Sequence, residues 1–257
     1  MNLVADRLAL ALDPVRFAQR VGLEPDGWQR HLLRSDAQQT ILNCSRQSGK
    51  STVTAVLATH EAEHRGDSLI LLLSPSLRQS QELFRKVKDV RLALGGDAVP
   101  VAEESALRLE LANGSRIVCL PGREATIRGF SGVRLLVVDE ASRVDDALYM
   151  AIRPMLSVSG GRIVLLSTPF GKRGFFFETW ENGGAAWHRV MVKAADCPRI
   201  PAEWLAAERE AIGSWWAAQE YDCEFVMTDS QVFSYELAMA AVNVDIEPLF
   251  GGWRCSS

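Results

Sequence analysis

The sequence lacks the marks of a secreted, disulfide-stabilised or membrane-spanning protein. No two of its five cysteines form a C-x-x-C pair and their number is odd, so we expect reduced thiols rather than a zinc site or a disulfide framework. No apolar run approaches the length of a membrane span, and Asp6 and Arg7 interrupt the N-terminus before a signal peptide could form. These absences predict a cytoplasmic protein with no membrane partner.

The sequence also lacks an excess of positive charge. Its 28 Lys and Arg against 32 Asp and Glu give a net charge of −4, so a nucleic-acid-binding face would have to be local or be assembled from several subunits. Apolar residues, in contrast, make up 47% of the 257 residues. This content suits one large α/β domain, alone or with an appendage.

A phosphate-binding loop is the most informative motif. Residues 44–51 read Cys-Ser-Arg-Gln-Ser-Gly-Lys-Ser and match G-x-x-x-x-G-K-[ST], except that Cys44 replaces the first glycine. In this pattern Gly49 lets the backbone approach the phosphates, Lys50 reaches the β- and γ-phosphates, and Ser51 holds Mg²⁺. The sequence therefore predicts ATP and Mg²⁺ as cofactors. The predicted nucleotide-binding residues of the loop are Ser45, Arg46, Gln47, Ser48, Gly49, Lys50, Ser51 and Thr52.

The order of apolar runs predicts the fold around this loop. A β-prone run at 39–43 enters the loop and a helix at 51–64 follows it, which places a helix N-terminus at the phosphates. Continuous apolar runs at 68–74, 134–140 and 161–169 predict strands buried on both faces. We therefore expect an α/β protein with a central, mostly parallel sheet flanked by helices. A helix at 77–94, a hairpin at 107–120 and two short C-terminal helices complete the prediction.

Polar residues end two of the predicted strands, where a parallel sheet carries its chemistry. Asp139 and Glu140 end one strand, with Asp139 expected to hold Mg²⁺ and Glu140 to orient and deprotonate the attacking water. Ser167 and Thr168 end another, where hydroxyls are placed to sense the γ-phosphate. The alternative for each pair is an ordinary polar exit from a strand.

Taken together, these motifs resemble the ATPase domain of the large terminase subunits of tailed bacteriophages. The resemblance extends over about residues 25–230. It rests on the Asp139-Glu140 strand together with four other stretches: Trp28-Gln29, the arginine-bearing loop without its first glycine, Ile127-Arg128-Gly129, and Ser167-Thr168-Pro169. It implies a P-loop NTPase of the ASCE type with a small C-terminal helical lid. The implied activity is ATP hydrolysis that drives DNA into procapsids.

The resemblance also implies roles for single residues. Trp28 would stack on adenine and Gln29 would hydrogen-bond its edge, while Arg46 would contact the γ-phosphate and Arg128 would act in trans on a neighbouring subunit's site. The alternatives are a packing role for Trp28 and ordinary ion pairs or solvent exposure for the arginines. The implied catalytic residues are Glu140, Arg128, Arg46 and Lys50.

Domain organisation and partners follow from the same resemblance. It implies an ATPase core at 1–195 with adenine-side helices at its N-terminus, a lid or linker at 196–232, and at 233–257 either a truncated start of a nuclease domain or a disordered tail. We therefore expect no nuclease activity from this chain. The implied partners are double-stranded DNA, further copies of the chain in a ring, the portal protein and the small terminase subunit, in the cytoplasm of the bacterial host.

Two other functions are compatible with the sequence. One is a helicase-like or translocase ATPase, which would show further helicase motifs and a second motor domain. The other is a non-catalytic prophage remnant that binds nucleotide without turnover; the intact Lys50, Ser51, Asp139 and Glu140 oppose it. A DNA-facing patch on the predicted 77–94 helix is a further hypothesis, with a solvated charged face as its alternative.

Overall fold

A computed structural model describes residues 3–122 and 129–227. In these ranges the chain alternates strands and helices around one sheet, as the sequence predicts. No helix within them is both long and apolar enough to cross a membrane.

The centre of the molecule is an eight-stranded sheet in the order β3-β4-β5-β2-β6-β7-β1-β8. All pairings from β5 across to β8 are parallel, and only β4 runs against the others. The carboxyl ends of β6, β7 and β1 therefore lie side by side on one edge. The strands are β1 (Gln39–Cys44), β2 (Leu69–Ser74), β3 (Val101–Glu104), β4 (Arg108–Leu111), β5 (Arg116–Pro121), β6 (Val133–Asp139), β7 (Arg162–Ser167) and β8 (His188–Val192).

Helices cover both faces of this sheet. Three short ones precede β1, the helix after β1 carries the phosphate loop at its start, and two short ones follow β8. They are α1 (Leu3–Leu12), α2 (Pro14–Arg20), α3 (Gly27–Arg34), α4 (Lys50–His64), α5 (Leu77–Leu94), α6 (Asp146–Ile152), α7 (Gly174–Asn182), α8 (Ala202–Ile212) and α9 (Ser214–Glu220).

The core has two layers because the inner strands bury side chains on both faces. In β2, Ile70 and Leu72 pack with α2–α5 on one face, while Leu71 and Leu73 pack with α6 and α7 on the other. A third, small cluster joins α8 and α9 to the residues after β8. It consists of Ala194, Leu205, Ala217 and Tyr221.

Most predicted elements are confirmed, and α5 has the predicted bounds. Two edge strands, β3 and β8, have no counterpart in the sequence-based prediction. Every residue of β3 is exposed, and β8 is only half-buried along most of its length. Neither edge strand therefore carries the continuous apolar run that marks the inner strands.

Candidate functional site

A cavity at the carboxyl edge of the sheet lies where the sequence predicts the chemistry. It has a volume of about 500 Å³ and opens beside the ends of β1, β6 and β7. The pairing of Asn43 with Ser167, and of Asp139 with Leu166, sets these three strand ends level with one another. Its lining residues are Arg46, Gln47, Ser48, Gly49, Lys50, Ser51, Gln79, Lys86, Glu140, Arg143 and Thr168.

The phosphate loop leads from β1 into α4 through a left-handed turn. Gly49 caps α4 with φ 93°, a conformation that favours glycine. A Cβ at this position would lie 2.7 Å from Nε2 of Gln29 and 3.2 Å from Nη2 of Arg199, so no larger side chain fits without rearrangement. The loop thus requires glycine here for its backbone angle, while the two neighbouring side-chain ends can shift.

Cys44 occupies the first position of the loop, where the usual pattern has glycine, and the structure gives it a packing role. It is the last residue of β1, is fully buried and packs in the core cluster against α4, so it lies outside the cavity. Burial raises the pKa of its thiol, because water no longer stabilises the thiolate. The thiol is therefore neutral and acts as a packing group.

The ammonium of Lys50 contacts polar groups from three segments of the chain. It donates to the carbonyl of Ser45 at 3.0 Å and to Oγ1 of Thr168 at 3.3 Å, and lies 3.9 Å from Oε1 of Glu140. The Lys50 side chain is only 7% exposed. A buried ammonium needs such partners, and each can yield to a phosphate oxygen.

Ser51 lines the cavity and is hydrogen-bonded to Asp139, which is buried. The hydroxyl of Ser51 donates to Oδ2 of Asp139 at 3.0 Å. Burial and the nearby charge of Glu140 raise the pKa of Asp139 to about 6, against the opposing effects of Lys50 and of this hydrogen bond. Because burial destabilises the charged form of Asp139, a cation bound beside it would stabilise the carboxylate. Its pairing with a hydroxyl oxygen also suits Mg²⁺, which takes one or two carboxylates together with phosphates.

No group of three or more His, Cys, Asp or Glu in the described ranges could hold a metal by itself. A Mg²⁺ ion at Ser51 and Asp139 would thus take its other ligands from water and phosphate oxygens.

Glu140 turns the chain sharply at the end of β6. It adopts a left-handed backbone with φ 51°, which costs a non-glycine residue about 1–2 kcal/mol, and it caps the 3₁₀ helix Ala141–Arg143. This turn keeps the carboxylate on the cavity beside Lys50. Ser142 in the same turn bonds the neighbouring strand end, from its N–H to Oγ of Ser167 at 3.2 Å and from its hydroxyl to the carbonyl of Thr168 at 2.7 Å.

Arg46 faces both the cavity and the C-terminal helices. Its guanidinium forms an ion pair with Glu220 of α9, and its backbone N–H donates to the Glu220 carbonyl at 3.0 Å. It also lines a second cavity of about 510 Å³ beside Trp216 and Tyr221. The predicted contact of Arg46 with the γ-phosphate stays a prediction, since its guanidinium is here paired with Glu220.

The predicted adenine-contacting pair lies behind the loop. Trp28 packs half-buried against the core, and Gln29 is buried, accepting a hydrogen bond from the N–H of Asp26 at 2.9 Å with its amide nitrogen directed at Gly49. Neither residue lines the cavity. Arg128, predicted to act in trans, is outside the described residues.

The structure adds four residues that the motifs did not single out. Gln79 and Lys86 reach the cavity from α5, and Arg143 reaches it from the turn after Glu140. Arg199 clamps the loop from outside, donating to the Ser48 carbonyl at 2.9 Å and to Asp26 at 2.7 Å. Only tertiary packing shows these roles. The hypothesis of a DNA-facing patch on α5 rests on Arg78, Arg85, Lys86, Lys88 and Arg91. Three of them, Arg85, Lys88 and Arg91, are paired with acids of the same chain.

Comparison with known proteins agrees with this geometry. Residues 41–238 match the family model described as "Terminase large subunit, T4likevirus-type, N-terminal". The large terminase subunit of Thermus virus P23-45 is 30% identical over an alignment of 253 residues, which covers 85% of this chain and 52% of that protein. The chain spans about half the length of two curated relatives that it matches, this one and the large terminase subunit of Thermus phage G20c.

Solved structures show the same fold. The large terminase ATPase domain of Thermus phage P74-26 superposes with a TM-score of 0.73 at 25% identity, covering 82% of this chain and 98% of that one. The large terminase of the thermophilic bacteriophage D6E, solved in complex with ADP, gives a TM-score of 0.67 at 12% identity and covers 79% and 54% of the two chains. The fold is therefore that of a P-loop NTPase, and the chain belongs to the terminase large subunit family, of which it carries the N-terminal ATPase domain.

Proposed function

We propose that this chain hydrolyses ATP and uses the energy to move double-stranded DNA into a viral procapsid. The observation that carries the proposal is the convergence of Lys50, Ser51, Glu140 and Thr168 on one cavity at the carboxyl edge of the sheet, with the buried Asp139 hydrogen-bonded to Ser51. Cations, a buried metal-binding carboxylate and a second carboxylate for water are the groups that phosphoryl transfer to water needs.

Binding of the triphosphate would use the loop. The N-terminus of α4 and its backbone N–H groups attract the phosphates, and the Lys50 ammonium exchanges the Ser45 carbonyl and the Thr168 hydroxyl for β- and γ-phosphate oxygens. Ser51 and Asp139 would hold Mg²⁺, which neutralises phosphate charge when bound. Arg46 adds a further cation at the mouth.

Hydrolysis would use the turn after β6. Glu140 is placed to accept a proton from a water molecule and to orient that water toward the γ-phosphate. Loss of the γ-phosphate would free Lys50 to bond Thr168 again. Because Ser142 ties Glu140's turn to Ser167 and Thr168, a change at one strand end is transmitted to the other.

The domain bounds, the partners and the cellular location are inferred from the family. We propose an ATPase core at 1–195 and a lid or linker at 196–232. Residues 233–257 would be either the start of a nuclease domain or a tail. The separate cluster formed by α8 and α9 supports a lid that begins near Ala194. The proposed partners are double-stranded DNA, further copies of the chain in a ring that places Arg128 on a neighbour's site, the portal protein and the small terminase subunit. The proposed place of work is the host cytoplasm.

A steady-state ATPase assay against protein concentration, with and without duplex DNA, tests the proposal. The rate should rise more steeply than the concentration as ring formation completes each site, and duplex DNA should increase it. Lys50→Ala is the control and should be inactive under all conditions. Absence of Mg²⁺-dependent turnover by the wild-type protein at every concentration would identify a nucleotide-binding remnant instead.

A further inference from the structure

Arg143 lies on the cavity but has no part in the hydrolysis described above. It is the last residue of the 3₁₀ helix that follows Glu140, and its exposed side chain is part of the cavity lining. Its guanidinium carbon lies 4.3 Å from the centroid of the Phe170 ring. In the described part of the chain, no carboxylate forms an ion pair with it.

The other cations on the cavity are already engaged. Lys50 bonds Ser45 and Thr168, Arg46 is paired with Glu220, and Lys86 donates to Oγ1 of Thr52 at 3.1 Å. Among the described residues, the Phe170 ring is the one partner found for the Arg143 guanidinium. Stacking leaves the N–H donors at the edge of the guanidinium free, in a fork that suits phosphate oxygens.

The backbone around Arg143 is fixed to both strand ends of the site. Its N–H donates to the carbonyl of Glu140 at 3.0 Å, while Ser142 beside it bonds Ser167 and Thr168. The ring on which it rests, Phe170, belongs to the segment that continues from Thr168. Arg143 is therefore placed beside Glu140 and Thr168, the residues at the γ-phosphate end of the cavity.

We propose that Arg143 is an in-chain ligand of the γ-phosphate and gives the site its preference for ATP over ADP. This inference rests on the proposed function, since it requires a nucleotide in the cavity. ATP has a terminal phosphate that ADP lacks, so a cation that reaches only that phosphate discriminates between the two. Its stacking on Phe170 would also report the occupied state to the segment after β7.

Arg173 provides the matched control. Its guanidinium also lies over the Phe170 ring, 5.5 Å from the centroid, yet it does not line the cavity. Equilibrium binding of ADP and of ATP-γ-S with Mg²⁺ would be measured by calorimetry for the full chain and for Arg143→Gln and Arg173→Gln. Thermal melting checks that the exposed substitutions leave the fold intact.

Arg143→Gln should weaken ATP-γ-S binding by roughly tenfold to a hundredfold, the usual range for a lost charged hydrogen bond, and should change ADP binding by less than about twofold. Arg173→Gln should change neither. Phe170→Leu, which removes the stacking surface but keeps the charge, should weaken ATP-γ-S binding by a smaller factor and leave ADP binding unchanged.

The outcomes separate this inference from the proposed function. If wild type prefers ATP-γ-S and Arg143→Gln retains that preference, or if Arg173→Gln loses it equally, Arg143 is not the discriminating ligand while the proposed function stands. Equal affinity of wild type for the two nucleotides would also contradict the inference. A wild-type protein that binds neither nucleotide would overturn both.

Discussion

At the scale of single residues, Lys86 and Lys88 show that neighbouring charges on one helix have different partners. Lys86 Nζ lies 3.1 Å from Oγ1 of Thr52 and lines the cavity, whereas Lys88 Nζ lies 3.4 Å from Oε1 of Glu104. Lys86→Gln should weaken ATP binding by roughly three- to tenfold, because the phosphates lose one facing cation, and Lys88→Gln should not. Equilibrium titration with Mg²⁺·ATP measures both, and similar losses in the two variants would contradict the assignment.

His60 makes stability depend on pH through a buried imidazole. Its ring packs edge-on against Phe17, lies tilted against the His64 ring, and has Nε2 3.1 Å from the carbonyl of Leu10. Burial, with a contribution from His64, lowers the pKa of His60 to about 4. As pH falls below 6.5, the unfolded chain therefore takes up a proton that the folded chain does not bind until about pH 4, and the folded state loses stability.

The test of this effect compares wild type with His60→Leu. The raised pKa of Asp139 has the opposite effect, because it stabilises the folded state as pH falls. This contribution is present in both proteins, so it cancels when their free energies of unfolding are compared. Relative to the variant, the wild-type free energy of unfolding should fall by about 2 kcal/mol between pH 7 and pH 5. Urea unfolding at the two pH values measures it. A difference that does not change with pH would show that His60 titrates normally.

At the scale of elements, the two C-terminal helices have a core of their own. Leu205 of α8 packs with Ala217 and Tyr221 rather than with the clusters beneath the sheet. Leu205→Ala should destabilise this region by about 2 kcal/mol, because it removes a buried side chain and leaves a cavity. Hydrogen exchange should then speed up in 202–220 and remain slow in β1, β2 and β6. A uniform increase across the sheet would mean that α8 and α9 are not a separate cooperative unit.

The inner elements could be predicted from sequence because each is specified locally. Buried strands such as β2 and β6 are continuous apolar runs, and α5 begins at a Ser76 cap and ends before Gly95. The edge strands could not be predicted, because their pairing with one neighbour leaves mixed side chains exposed. His188 in β8, for instance, is fixed by β1 on one side only.

The site likewise contains residues that could be predicted from local sequence and residues that could not. The loop and the strand ends were identified because consecutive residues carry their chemistry, as in Gly49-Lys50-Ser51. Lys86, Arg143 and Arg199 reach the site from other elements, and in the sequence they look like any other surface charge. Gln29 shows a different limit. Its motif can be recognised in the sequence, but its buried amide packs against the loop at Gly49 and does not line the cavity, so its contact with adenine stays a prediction.

At the scale of the whole molecule, the proposed motor depends on more than one copy of the chain. If Arg128 completes a neighbour's site, mixing inactive Arg128→Ala with inactive Lys50→Ala should restore part of the ATPase rate under ring-forming conditions. Where the arginine of a Lys50→Ala subunit meets the site of an Arg128→Ala subunit, an intact arginine faces an intact site, whereas the reverse interface stays inactive. The mixture is compared with each variant alone at the same total concentration. A mixture no more active than its parts, where wild type is active, would show that Arg128 does not act in trans.

The central claim is that Glu140 activates water in a site that binds ATP. The most direct test measures ATP affinity and steady-state hydrolysis in wild type and in Glu140→Gln, which keeps the size of the side chain and removes the base. The variant should bind ATP within about threefold of wild type. It should hydrolyse ATP at least about a hundredfold more slowly, in the range expected for loss of a general base. Turnover at the wild-type rate by Glu140→Gln would contradict the account.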